Sequence, residues 1–312
     1  MPNAKLADSM IHADRAIRTT QNIIKGSRCY DMLGPARQAF IDDQLFRRPQ
    51  IDLGTPSSAL MARRDAGAAL AATTQLYFHD LLGQAPEPYL ATFAFSDGEV
   101  PMGHRLRNVQ TSINRAKDAL LQVGLEGLLS ADIDLLLPIG AKTPITAFHL
   151  HGIVFHPSAG NRKFRLKHAA TKMEGMIGVP SRLPYGVKLG GKRPGDFRSH
   201  ADRMATYAGK WTAALKIETR TADEGPRFGR SRPLYTPAQA VNFLYSWSQI
   251  PVLNSVIPVG SEGAAMYRAW RRKIMRRNHI ERVELSMGDL RSNWADVMKI
   301  VNGGESVVPS NV

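Results

Sequence analysis

The sequence predicts an α+β protein: a central antiparallel sheet with flanking helices, set between helical N- and C-terminal regions. Three observations predict it. Short apolar or alternating runs recur between Tyr89 and Leu189, each bounded by Gly, Pro, Asp or Ser. Segments with helical spacing separate those runs. The stretches before Gln84 and after Thr236 carry helical texture with N-cap and stop signals. The order strand–helix–strand–strand–helix–strand–helix in the middle places helices against one antiparallel sheet.

The elements follow in chain order. Lys5 to Ile24 has apolar residues near helical spacing, and Gly26 is its stop. Ser57 to Leu82 is Ala-rich, with Pro56 before it and Gly83 after it, and predicts a second helix. The two prolines in Gln84–Pro88 break either period and mark a boundary. Tyr89 to Phe95 predicts a strand ended by Ser96-Asp97-Gly98. Arg105 to Val123 predicts a helix, and Asp132 to Pro138 a second strand. The loop Ile139 to Pro144, with Gly140 and Pro144, fits a hairpin leading into a third strand, Ile145 to Phe155. Arg165 to Met176 predicts a basic helix, and Tyr185 to Leu189 a short strand. Ser199 to Leu215 predicts a helix opened by a Ser199-x-x-Asp202 capping box. The polar stretch from Arg220 to Arg232 predicts a linker, and Thr236-Pro237 starts a mostly helical tail to residue 300. The division is a helical region at 1–85, a sheet-bearing domain at 86–220 and a basic, mostly helical region at 221–312.

Composition narrows the partners. Of the 312 residues, 41 are Lys or Arg and 27 are Asp or Glu, a formal net charge of +14. A hydrophobic fraction of 43% supports a packed core and excludes a disordered chain. The single cysteine, Cys29, excludes an internal disulfide framework and a Cys-cluster zinc site. No apolar run approaches the roughly 20 residues of a membrane span, and Met1 to Arg18 lacks a signal-peptide core, so a cytoplasmic protein with no membrane partner is expected. The charge is concentrated. Residues 1–85 contribute +2, residues 86–220 contribute +8 and residues 221–312 contribute +4. Residues 162–203 carry the whole excess of the middle region, through Arg162, Lys163, Arg165, Lys167, Lys172, Arg182, Lys188, Lys192, Arg193, Arg198 and Arg203. A second cluster, Arg268, Arg271, Arg272, Lys273, Arg276 and Arg277, lies on a helix with Trp270 and Ile274 to one side. Such concentration points to a polyanion, most simply nucleic acid.

Phe148-His149-Leu150-His151-Gly152 is the strongest chemical signal. Two histidines two apart on a strand share one face. Buried imidazoles need partners, and either backbone bonds or one shared metal ion would satisfy both. A carboxylate would complete a metal site. With the hairpin turning near Gly140 to Lys142, Asp134 falls opposite His149 and Asp132 opposite His151, so either Asp qualifies. Two imidazoles and a carboxylate suit Mg²⁺ or Mn²⁺ when phosphate fills the remaining positions, and do not exclude zinc. Downstream, Tyr207-Ala-Gly-Lys210 sets a phenol one helical turn from an ammonium group, at the edge of the stripe Met204, Ala208, Trp211, Leu215. A phenol becomes a competent nucleophile when a nearby cation favours phenolate.

His149-Leu150-His151 followed by Tyr207-x-x-Lys210 resembles the HUH endonucleases, and within them the single-tyrosine replication initiators (Rep proteins) of rolling-circle plasmids and phages. The resemblance covers residues 86–220, with Tyr89 to Phe95 as the family's first-motif strand. Trp211 stands where the family often has Tyr, and Asp where it usually has a Glu metal ligand. The resemblance implies an HUH-type nuclease fold and a DNA strand transferase. His149, His151 and Asp134 or Asp132 would hold the divalent metal. Tyr207 would form a 5′-phosphotyrosine and Lys210 would stabilise charge, on single-stranded or hairpin origin DNA gripped by the basic stretch. Alternatives are an HUH transposase or relaxase, or a non-catalytic basic DNA-binding protein. Gly209-Lys210 and Gly191-Lys192 are not followed by Ser or Thr, so no P-loop is present and a separate helicase and polymerase are implied. One tyrosine also means that termination needs a second nucleophile, which a homodimer would supply.

Overall fold

Strand β3 (Ile145–Phe155) organises the molecule, because its apolar run is flanked on both edges and covered on both faces. The structure, a computed structural model, describes residues 4–46, 60–80, 87–157, 165–178, 186–190, 215–221, 225–230, 236–277 and 294–300. The N-terminal helices are α1 (Ala4–Lys25), α2 (Arg28–Asp31), α3 (Gly34–Phe46) and α4 (Leu60–Asp80). Then come β1 (Pro88–Pro101), α5 (Val109–Gln122), β2 (Glu126–Leu137), β3, α6 (Leu166–Ile177) and β4 (Val187–Gly190). After them lie β5 (Leu215–Thr221), β6 (Gly225–Arg230), α7 (Pro237–Ser248), β7 (Val256–Val259) and α8 (Gly260–Arg277), with residues 294–300 helical.

The strand order β4-β1-β3-β2-β5-β6, with β7 also on β2, corrects the expected antiparallel sheet to a mixed one. The β1–β3, β2–β3 and β1–β4 pairs are antiparallel, whereas β2 and β5 run parallel at Leu135–Leu137. The run β1-α5-β2-β3-α6-β4 is the split β-α-β arrangement, in which two crossover units interleave. The linker expected between Arg220 and Arg232 is instead largely strand: β5 and β6 pair antiparallel from Lys216–Arg230 to Thr221–Gly225. Leu215, expected to end a helix, begins β5. The strand expected at Asp132 begins earlier, at Glu126, and β1 runs on past Ser96-Asp97-Gly98 through a bulge between Ala94 and Glu99. Helix α5 starts only at Val109, because Asn108 before it takes a left-handed conformation.

Apolar side chains cover both sheet faces. Phe93, Leu129, Ala131, Phe148, Leu150 and Val154 share an apolar cluster with Ile113 and Leu120 of α5 and Met173 and Ile177 of α6. On the other face Leu128, Ile153 and Phe155 pack with Ala62, Ala66 and Phe78 of α4 and with Met266, Trp270 and Ile274 of α8. The Trp270 indole N–H donates to the Ala66 carbonyl at 3.0 Å, which ties α8 to α4. Glu126 of β2 caps α8, accepting from the Glu262 backbone N–H at 2.9 Å and from the Ser261 hydroxyl at 3.2 Å. Helix α7 opens on Thr236 as N-cap with Pro237 after it, as expected, and Gln239 completes a capping box with Thr236. Gly152 and Gly127 let β2 and β3 close on each other: a Cβ at either would run into a carbonyl oxygen of the partner strand.

Candidate metal centre

Alternation along β2 and β3 builds the site. Asp132 and Asp134 share a face of β2, and His149 and His151 share the facing side of β3. The register pairs Asp132 with His149, Asp134 with Ala147 and Ser130 with His151. The expected pairing of Asp134 with His149 is therefore corrected by two residues. A two-residue slip keeps every side chain on its face, so the four residues still meet, but with a different carboxylate at the centre.

That carboxylate is Asp132. Its Oδ2 lies 3.4 Å from His149 Nε2 and 3.8 Å from His151 Nε2. One donor atom from each of Asp132, His149 and His151 falls within 4.8 Å of the others, so the three could hold a metal ion. Four ligands placed tetrahedrally at about 2.1 Å stand about 3.4 Å apart, the spacing found between His149 and Asp132. The imidazoles are also oriented for it. Nδ1 of His149 faces the Ala147 carbonyl at 3.4 Å, and Nδ1 of His151 lies 3.0 Å from Thr92 Oγ1 on β1. A proton on each Nδ1 leaves the Nε2 lone pairs turned toward Asp132. The rings meet edge to face, 4.6 Å between centroids.

Asp134 is engaged elsewhere. Its Oδ2 pairs with Lys216 of β5 and stands 3.4 Å from His149 Nε2. Asp132 Oδ1 takes the backbone N–H of Ile133 at 2.9 Å and the Arg63 guanidinium of α4 at 3.3 Å. The Arg63 guanidinium carbon sits over Trp247 of α7, 3.3 Å from the ring centroid. Burial works against charge on Asp132, yet His149 and Arg63 hold its carboxyl well below the usual carboxylate range. Burial also opposes a proton on His149, but Asp134 and Asp132 outweigh it and raise that imidazole. His151, buried beside His149, is pushed down to about 4.

Sequence reasoning found both histidines and both aspartates. It missed Arg63, Lys216 and Thr92. None had a local signal, because each reaches the site from another element: Thr92 through the β1–β3 pairing that sets it opposite His151, Arg63 from α4 and Lys216 from β5. Among the expected basic residues, Lys188 is exposed on β4 opposite Thr92, on the histidine face of the sheet. Arg165, the N-cap of α6, and Lys167 and Lys172 on that helix are exposed, and α6 covers the other face. Arg268 and Arg272 are exposed on α8, Arg271 and Lys273 half-buried, and Arg276 and Arg277 fall in its last turn. Tyr207, Lys210, Arg162, Lys163, Arg182, Lys192, Arg193, Arg198 and Arg203 lie outside the described residues. Among the described residues no helix is long and apolar enough to cross a membrane. No protein-family model matches the chain, and comparison with curated proteins and with solved structures finds no match.

Proposed function

We propose that this protein binds a divalent cation at Asp132, His149 and His151 and uses the site for phosphodiester transfer on DNA, initiating rolling-circle replication. The observation that carries the reading is the convergence of two imidazole Nε2 atoms on one carboxylate oxygen, on one face of the central strands. A cation bound there supplies Lewis-acid polarisation of a phosphate oxygen. A polyanion as substrate is supported by the net charge of +14, the basic outer side of α8 and Lys188 on the site's own face. In the proposed reaction Tyr207 gives up its phenol proton to solvent, its oxygen attacks phosphorus, the bond from phosphorus to the 3′ oxygen breaks, and the departing 3′ oxygen takes a proton from water. The products are a free 3′-OH and a 5′-phosphotyrosine. Lys210 stabilises the phenolate or the developing phosphoryl charge. The phosphodiester energy is kept in the tyrosine linkage, so resealing needs no nucleotide.

The test is incubation with Mn²⁺ and single-stranded DNA, read as an SDS-stable protein–DNA adduct. Wild type should form it; Tyr207→Phe and His149→Ala should not. Metal-dependent cleavage without an adduct would move the nucleophile to water. DNA binding with neither cleavage nor metal uptake would leave a non-catalytic DNA-binding protein.

A further inference from the structure

The N-terminal helices have no part in the function proposed above, yet one of their side chains reaches its centre. Arg63 is buried, with only 9% of its side chain exposed. One guanidinium nitrogen lies 3.3 Å from Asp132 Oδ1 and 3.4 Å from the Ala131 carbonyl. Its guanidinium carbon sits 3.3 Å over the Trp247 ring centroid, so α4 carries the group and α7 supports it. Burying a guanidinium costs several kcal/mol that an apolar residue of similar size would avoid. Shape filling between α4 and α7 therefore does not require an arginine.

What the arginine adds is direction. Two donors, Arg63 and the Ile133 N–H, occupy Oδ1 of Asp132 and leave Oδ2 as the oxygen turned to both histidines. Resting on the metal reading above, we propose that Arg63 is a positioning residue of the metal centre: it sets the Asp132 carboxylate so that Oδ2 is presented to the ion. The N-terminal helical region is then part of the site, not an appendage to it.

Charge and position predict opposite signs, which makes the proposal testable. A guanidinium beside a metal site repels a divalent cation, so an arginine that only neutralised Asp132 would weaken metal binding, and its removal would tighten it. A positioning arginine strengthens binding, and its removal weakens it about 10- to 100-fold, as for other groups that orient ligands. The experiment is Mn²⁺ titration of the full chain at pH 7.5, read by the electron paramagnetic resonance signal of free Mn²⁺. Wild type, Arg63→Met and Arg63→Lys are compared, with near-UV circular dichroism to report folding. Arg63→Met should bind about 10- to 100-fold more weakly, and Arg63→Lys about tenfold more weakly, since a lysine keeps the charge but has no planar group to rest on Trp247 and fix the donor at Asp132. If Arg63→Met does not fold, Arg63→Lys alone decides. Equal or tighter binding by the folded variants overturns the inference while leaving the metal reading intact. A wild type that takes up no Mn²⁺ overturns both.

Discussion

Replacing Asp132 and Asp134 separately by Asn asks which carboxylate the fold has made central. Asn keeps the volume and an acceptor for the Ile133 N–H, so only charge is removed. At Asp132 the loss strands Arg63, 3.3 Å away and almost fully buried. Two unit charges at that separation attract by about 5 kcal/mol at an effective dielectric constant of about 20. Desolvation absorbs part of this, and removing one partner of a buried pair costs about 3–5 kcal/mol. At Asp134 the loss removes the carboxylate that faces Lys216, whose side chain is 27% exposed and can turn to water, so the expected cost is about 1 kcal/mol. The assay is urea unfolding in EDTA followed by tryptophan fluorescence, for which the fully buried Trp247, Trp270 and Trp294 are reporters. Mn²⁺ affinity should follow the same order, with a loss of at least about 100-fold for Asp132→Asn and about tenfold or less for Asp134→Asn. If Asp134→Asn is the more damaging variant in both measurements, the β2–β3 register or the ligand assignment is wrong.

Two further predictions concern pH and the support of α8. In metal-free protein, His151 has a folded value of about 4 against an ordinary 6.5, because burial and then His149 oppose its charge. The unfolded chain therefore binds more protons across that window. Stability should fall by about 3 kcal/mol as pH drops from 6.5 to 4. His149 works the other way: its raised value stabilises below 6.5, and the benefit is lost as pH rises through the folded value. Urea midpoints from pH 4 to 9 should thus show an acid limb that His151→Gln flattens, and a flat wild-type profile below 6.5 contradicts the burial argument. Glu126→Ala removes the acceptor for two donors at the start of α8 and should cost about 1–2 kcal/mol; a melting temperature unchanged from wild type would show that the cap contributes nothing.

Legibility varied with the kind of information each element needed. The bounds of β3 could be read directly, because a residue-by-residue apolar run between Pro144 and His156-Pro157 needs no distant partner to define it. The start of α7 was equally local, since a capping box is complete within four residues. Strands β6 and β7 were not legible. Gly225-Pro-Arg-Phe-Gly-Arg230 is polar and glycine-rich, and Val256–Val259 is short; each is a strand because a paired neighbour supplies its hydrogen bonds. The same holds for the parallel β2–β5 pair, which no local pattern announces.

The sequence by itself determined that the two histidines share one face of β3 and the two aspartates one face of β2, because side-chain alternation is a property of each strand alone; that the two faces coincide was set by the register. The sequence also determined the α+β class and the net positive charge. Tertiary structure decided which carboxylate faces both imidazoles, because several closures of the 138–144 loop preserve the faces while only one sets the pairing Asp132 to His149. It decided too that Arg63, 69 positions upstream of Asp132, and Lys216, 82 positions downstream of Asp134, would balance those carboxylates. Burial makes the site's charges strong and their partners necessary, and burial is created only when α4, α7 and β5 close over the strands.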